Sequence, residues 1–424
     1  MAGRKQTKNA SAQRGAIAFL AVAAALVCIL VALLMQLKCG GTAPAPQTTA
    51  VAPTLTATPA PSAAPTPAPS AAPTPAPEPT FSPRRATIRA AGDLMMHEDQ
   101  LEAARRPGEG YDFTSQYALV RDSLSDADYT LANLETTVGL YSDKPYSGYP
   151  RFNAPPEMLE AVRGAGIDFV SLANNHILDR YFDGMLITVA NVREAGLDYS
   201  GVYVSAEDSL EPDIFEINGI RVGFLCYTYS TNDMEKHSDA RAVQFGVRYL
   251  YDRDYAADVR ALRQAGAEVV IAMPHWGAEF RRTASSTQVS IAMQLAQAGV
   301  DVVLGGHPHV VQQAGMMDTP DGEKTLVAFS LGNFNSDMDE DYADTGIIFE
   351  FTLVEREEGG FDVVDPGYVP VFCWRQDGLT RTIPSLPYYD QPPEGMSPEQ
   401  HARLRAGVES VDALMGPEIA RLER

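Results

Sequence analysis

The sequence predicts an α/β domain carried behind a membrane-spanning run and a proline-rich spacer. Three observations lead there. From about residue 84 onward, short β-branched or aromatic runs alternate with helical patterns, the signature of partly parallel sheets with helices on their faces. Near the start lies a charge-free apolar run, "AIAFLAVAAALVCILVALLM" at residues 16–35, about the length that spans hydrocarbon. Between the two sits a tract of Ala, Pro, Thr and Ser in which "SAAPTPAP" occurs twice in tandem, at 62–69 and 70–77.

Residues 1–14 carry Arg4, Lys5, Lys8 and Arg14, which places this tail in the cytoplasm by the positive-inside rule. Residues 15–37 read as an uncleaved signal anchor. The apolar run exceeds the roughly 7–15 residues of a signal-peptide core, and no clean A-x-A site follows it. A cleaved secretory signal peptide is the alternative. Cys39 follows Lys38, where a lipoprotein signal would put a small residue. Residues 38–83 then form an extracellular linker. Its prolines favour polyproline II at about 3.1 Å per residue, a reach on the order of 100 Å. The predicted location is the cell membrane, single-pass, with the carboxyl-terminal domain outside.

Residues 84–375 are the predicted folded domain. Candidate strands are 86–96, 128–135, 167–176, 220–230, 267–277, 300–310, 325–334 and 346–355, and candidate helices include 155–166 and 286–299. "INGI" at 217–220 reads as an Asn-Gly hairpin turn. Residues 376–424 read as a proline-rich segment and a carboxyl-terminal helix opened by a Ser-x-x-Gln capping box. The four cysteines, Cys28, Cys39, Cys226 and Cys373, form no CxxC pair. Cys226 and Cys373 read as buried free thiols, a disulfide between them being the alternative.

A formal net charge of −22 argues against a nucleic-acid partner, which needs clustered Lys and Arg. A polyanionic partner would have to meet local cations, either metal ions or a small basic patch such as Arg281 and Arg282.

Five candidate strands end in metal-competent or carboxylate residues: Asp93; Asn133 and Glu135; Asn174, Asn175 and His176; His275; His307 and His309. Strand carboxyl ends in α/β sheets share an edge where ligands bind. Acids, amides and several imidazoles together suit Mn, Fe or Zn and are too nitrogen-rich for calcium. Each residue alone has a plainer reading: Asp93 as a turn or helix cap, Glu135 as an arginine partner, His275 as a packed histidine. His97, four residues past Asp93, would be a further ligand or a substrate contact. No G-x-S-x-G elbow, P-loop or dinucleotide fingerprint is present.

"AAGDLMMH", "LANLET", "SLANNHILDRYFDG", "MPHWGAEF", "GVDVVLGGHPHVVQ" and "FSLGNF" resemble, in order and approximate spacing, the CapA family of capsule and poly-γ-glutamate synthesis proteins. That family is related to the calcineurin-like metallophosphoesterases, and the resemblance covers about residues 86–372. It implies a β-sandwich flanked by helices, with one or two divalent ions at strand ends. It further implies Asp93 as a ligand of the first ion and Glu135 in the bridging position. Asn175, His275 and His307 would serve the second ion, His309 would return to the first, and His176 would be the proton donor. Met95 stands where the phosphoesterases have the histidine of D-x-H, and Glu135 replaces a bridging aspartate. Glu279 and Gln288 match recurrent positions of the family. With Asn174, His97, Arg281, Arg282 and Asn333, Glu279 completes the expected substrate-binding set. The implied partners are an anionic polymer such as poly-γ-glutamate and other membrane synthesis proteins. Three functions follow: a part in capsule or poly-γ-glutamate production, a metal-dependent phosphoesterase, and a non-catalytic polymer scaffold.

Overall fold

Two mixed sheets pack face to face, and helices cover both outer faces. The structure, a computed structural model, describes residues 81–108, 110–139, 145–251, 253–320 and 322–423. The predicted cytoplasmic tail, the anchor and nearly all of the linker lie outside the described residues. Among the described residues, no helix is long and apolar enough to cross a membrane.

In chain order the principal strands are β1 (Arg85–Leu94), β2 (Tyr129–Leu134), β3 (Phe169–Ser171), β4 (Asp198–Ser200), β5 (Ile214–Ile217), β6 (Ile220–Thr228), β7 (Val269–His275), β8 (Val302–Leu304), β9 (Ala314–Asp318), β10 (Lys324–Ala328), β11 (Asn333–Asn335), β12 (Thr345–Glu355), β13 (Phe361–Gln376), β14 (Leu379–Pro384) and β15 (Ala420–Arg421). The larger sheet runs β14-β13-β12-β1-β2-β3-β4, with β11 beside the end of β1 and β15 beside β13. The smaller sheet runs β9-β10-β8-β7-β6-β5. β1 to β4 are parallel, as are β6, β7, β8 and β10. Each sheet therefore presents several strand carboxyl ends along one edge.

Alternation along the strands builds the layers. Ile88, Ala90, Leu131 and Phe169 of the larger sheet meet Val222, Phe224, Ile271 and Val302 of the smaller in one buried cluster. Phe169 and Phe224 stack with ring centroids 4.3 Å apart. The intervening residues face outward. Leu134 and Val170 pack under α1 (Glu98–Ala104), α2 (Glu157–Gly164) and α3 (Tyr181–Glu194). Leu225, Val270 and Val303 pack under α4 (Tyr255–Gln264) and α5 (Ser286–Ala298). Each such apolar side chain contributes roughly 1.5–3 kcal/mol on burial.

Local chemistry sets the helix ends. Ser285 Oγ accepts from Gln288 N at 3.2 Å and Gln288 Oε1 accepts from Ser285 N at 2.9 Å, a capping box opening α5. Gly299, at φ 96°, closes it. Ser397 and Gln400 form the predicted box that opens α6 (Pro398–Asp412). The hairpin turn is also as expected, with Asn218 and Gly219 both at positive φ. Cys226 and Cys373 are free and buried.

The carboxyl-terminal reading needs correction. Residues 376–424 do not form a segment apart: β14 is a strand of the larger sheet, β15 pairs with β13, and Leu404 and Val408 of α6 pack on Phe372, Trp374 and Ile383. The alternation Thr380, Thr382, Pro384 is too short to announce a strand beside so many prolines. Three predicted strands were also too long, and the run at 300–310 keeps only Val302–Leu304. The run at 167–176 ends at Ser171, and the run at 325–334 breaks between Ala328 and Asn333.

Candidate metal centre

Asp93 is the second-last residue of β1, beyond Ala90 where that strand leaves β12, and aligns with Asn133 on one side and Asn333 on the other. The approach is close: a Cβ on Gly92 would lie 1.9 Å from Gly332 O, so only glycine fits. Glu135 follows β2, its N–H donating to Leu94 O at 2.9 Å. After β3 the chain turns sharply. Asn174 Nδ2 donates to Leu134 O at 2.7 Å and Asn174 Oδ1 accepts from His176 N at 3.1 Å. Asn174 thus ties that turn to β2. His275 ends β7, and His307 and His309 follow β8 at φ 94° and 57°. Left-handed backbone at two non-glycine residues is strain of the sort held at functional sites. Gly306 lets this turn press on Asp93, since a Cβ there would meet Asp93 Oδ1 at 2.6 Å.

Acids and amides from the larger sheet thus meet imidazoles from the smaller. Asn133 Nδ2 donates to Asp93 Oδ1 at 2.8 Å and lies 3.2 Å from His275 Nδ1. His275 Nε2 lies 2.8 Å from Asn175 Oδ1 and 3.4 Å from Glu135 Oε1. His309 Nδ1 is 3.4 Å from Asp93 Oδ2, and its Nε2 is 3.7 Å from Glu135 Oε1. His307 N donates to Asp93 Oδ2 at 3.1 Å. Among the described residues, Glu135, His307 and His309 bring ligand atoms within 4.8 Å of one another, and so do Asp93, Glu135 and His275. Glu135 belongs to both groups. Expected partners do meet, His309 with Asp93 and His275 with Asn175 and His307, and the two groups overlap that partition.

Orphaned atoms provide the test of fit. Both carboxylate oxygens of Glu135 and Nδ1 of His307 are buried without a hydrogen-bond partner, although such groups are costly to leave unpaired. Burial disfavours charge on Glu135, yet the imidazoles of His275 and His309 hold its carboxyl well below the usual carboxylate range. Burial lowers His309 too, but Glu135 and Asp93 outweigh it and push the imidazole up to about 9. His307, buried beside His275, is held well below the usual imidazole range and stays neutral. An ionised bridging carboxylate, a neutral imidazole with a free lone pair and a site that draws positive charge fit a bound divalent cation.

His176 stands at the rim. Its Nδ1 lies 2.8 Å from Asp179 Oδ2, and its ring meets Phe152 edge-on at 4.7 Å. Burial lowers its pKa, while the bond to Asp179 and that carboxylate's charge raise it by more. His97 takes a different part from the expected one. It caps α1, accepting from Asp337 N through Nδ1 at 3.3 Å, and burial pushes it down to about 4. Glu279 and Arg281 are exposed on the loop after His275. Arg282 turns away, stacking on Tyr342 at 4.1 Å and donating to Ser410 of α6. Asn333 is buried and faces His309.

The sequence reading gave no role to Asp179 or Tyr229, and placed Asn133 at its strand end without a specific one. Asp179 was detectable from its spacing, three residues after His176 and one turn on. Tyr229, whose ring lies 4.5 Å from that of His307, gave no signal beyond ending a predicted strand.

Fold and site together define an α/β two-sheet sandwich with a carboxylate–imidazole cluster at its strand ends. The family model for the bacterial capsule synthesis protein PGA_cap matches residues 87–338, and the chain belongs to that family. It is 27% identical over 285 residues to the capsule biosynthesis protein CapA of Bacillus anthracis, covering 66% of this chain and 67% of that protein. To the PGA biosynthesis protein CapA of Bacillus subtilis (strain 168) it is 24% identical over 286 residues, covering 67% and 72%. Among solved structures it is similar to the calcineurin-like phosphoesterase YfkN from Bacillus subtilis, with 14% identity, a TM-score of 0.41, and coverage of 78% of this chain and 99% of that one. A likeness that distant carries no argument about activity.

Proposed function

We propose that this chain is a membrane-anchored, extracellular component of capsule or poly-γ-glutamate production whose metal centre acts on the acidic polymer. The observation that carries the reading is Glu135, buried, with neither oxygen hydrogen-bonded, beside the imidazoles of His275 and His309, and common to two groups of candidate ligands. The family description and the names of the two Bacillus relatives support the capsule assignment. The charged tail and apolar run at residues 1–37 support the anchor.

Asp93, Glu135, Asn175, His275, His307 and His309 would hold the ions, of Mn, Fe or Zn. When bound, such ions polarise a carbonyl or phosphoryl oxygen and supply a nucleophile at neutral pH. Asp179 accepts from Nδ1 of His176, and its charge favours the imidazolium, whose Nε2–H can pass a proton to the departing nitrogen or oxygen. Arg281 offers an exposed cation beside the site for an anionic chain.

Deletion of the gene, complementation and assay of the purified protein test this. Surface polymer should vanish on deletion and return with the wild-type chain but not with His307→Ala. Full restoration by His307→Ala and by His309→Ala would instead make the chain a non-catalytic scaffold. In the assay, turnover of γ-glutamyl amides with added Mn²⁺ supports the proposal. Turnover of phosphate esters alone would point to the phosphoesterase reading, which the His176–Asp179 pair serves equally well.

A further inference from the structure

We infer that Asn333 is a positioning residue for His309 rather than a substrate contact, and that Arg403 of the carboxyl-terminal helix holds the frame that orients it. The inference rests on the metal-centre reading above.

The argument starts from an acceptor that has no choice. Ala343 O is a backbone carbonyl and accepts only; Asn333 Nδ2 lies 2.9 Å from it. That contact fixes the amide orientation, so the atom 3.0 Å from His309 Nδ1 is Oδ1. An amide oxygen also accepts only, and His309 must therefore carry a proton on Nδ1. The lone pair of neutral His309 is then on Nε2, the nitrogen that faces Glu135 Oε1 at 3.7 Å. That distance is too long for a hydrogen bond. Asn333, together with Asp93 Oδ2 at 3.4 Å from the same nitrogen, thus sets which nitrogen is offered to a cation, as partners of ligating histidines commonly do. Its place in register with Asp93 sets it beside the other acid of the cluster.

Ala343 is held in turn by α6. Arg403 Nε donates to Asp344 Oδ2 at 2.6 Å, and Arg403 Nη2 reaches Asp339 O and Glu340 O at 3.4 and 3.3 Å. One guanidinium therefore spans the turn on both sides of Ala343. A Cβ on Gly407 would meet Thr345 Oγ1 at 2.3 Å, so the helix lies directly on this turn. Arg282, from the loop that follows His275, stacks on Tyr342 in the same turn. Ala343, Asp344 and Arg403 all lie beyond residue 338, where the family match ends. The orientation of a core ligand is thus set from outside the matched region.

Mn²⁺ titration of the full chain in detergent, read by electron paramagnetic resonance of the free ion, tests this, with the unfolding midpoint of the chelated protein as control. Asn333→Leu should weaken Mn²⁺ binding by about 10- to 100-fold. Asn333→Asp keeps an acceptor for Nδ1–H but loses the donor to Ala343 O, and should fall between wild type and Asn333→Leu by the same argument. Arg403→Gln, which takes the cation from buried Asp344, should weaken binding by about three- to tenfold, at the low end of such outer-shell effects, and should also lower the chelated midpoint. If Asn333→Leu does not fold, Arg403→Gln decides. Wild-type affinity in both variants overturns the inference and leaves the metal centre standing. A wild-type chain that takes up no Mn²⁺ overturns both.

Discussion

His176 and Asp179 form a buried pair, Nδ1 to Oδ2 at 2.8 Å, within one turn of chain after β3. The carboxylate also accepts from Phe152 N at 2.7 Å, so it is fixed from two sides. Asp179→Asn would keep the shape, with an amide oxygen held in place by Phe152 N, but remove the charge that favours the His176 imidazolium. Turnover of whichever substrate the panel identifies should fall by about 10²–10⁴-fold, the usual worth of a general acid. Metal content, measured by elemental analysis, should stay at the wild-type value.

Glu135 is the residue on which two-ion occupancy depends. Glu135→Gln removes the charge common to both ligand groups, and the purified variant should lose at least one bound ion. Chelation makes the second readout. A ligand present at about 100 times its dissociation constant stabilises by about 2.7 kcal/mol, so chelator should lower the melting temperature of wild type and leave that of Glu135→Gln nearly unmoved. Equal chelator sensitivity in both would count against the bridge.

Gly306 offers a test that leaves every ligand in place. In Gly306→Ala the new methyl would press on Asp93 Oδ1, 2.6 Å away, and come within 3.4 Å of His275 Nδ1. Metal affinity should fall by about tenfold or more, the scale seen for disturbed ligand positions. Far-ultraviolet circular dichroism should not change.

Acid stability has a separate source, at the opposite end of β1. Hydrogen bonds from the Arg84 side chain and backbone hold the Glu355 carboxyl down to about 2, and the Arg84 guanidinium lowers Glu268 as well. Because these folded-state values lie below the ordinary ones, the stabilisation is present above about pH 4.5 and disappears as pH falls toward about 2. Arg84→Met should therefore be less stable than wild type at neutral pH, and the gap in urea midpoint should close through that window. A gap of constant size down to pH 2 would show that these carboxylates do not carry it.

Much of this molecule was legible in advance because its signals are local. β-Branched runs with outward and inward alternation marked β1, β2, β6, β7 and β12. The Ser285 and Ser397 capping boxes marked two helix starts, and acids, amides and imidazoles at strand ends marked the cluster. Signals that failed were those a neighbour supplies. β14 forms because β13 offers it a partner, and β15 is only two residues long. His97, expected as a ligand or a substrate contact, accepts from Asp337 N through Nδ1, and Arg282, expected at the polymer, stacks on Tyr342 and donates to Ser410.

By itself the sequence determined the α/β class, the apolar run and spacer ahead of it, and which residue types would gather at the strand ends. Periodicity, composition and capping act over a few residues and can be read along the chain. Only the tertiary structure decided that Asn133 reaches both Asp93 and His275, that Asn333 lies against His309, and that the last helix frames the site. Those facts depend on distances of 2.6–3.2 Å between segments brought together by packing two sheets, and such distances have no trace in residue order.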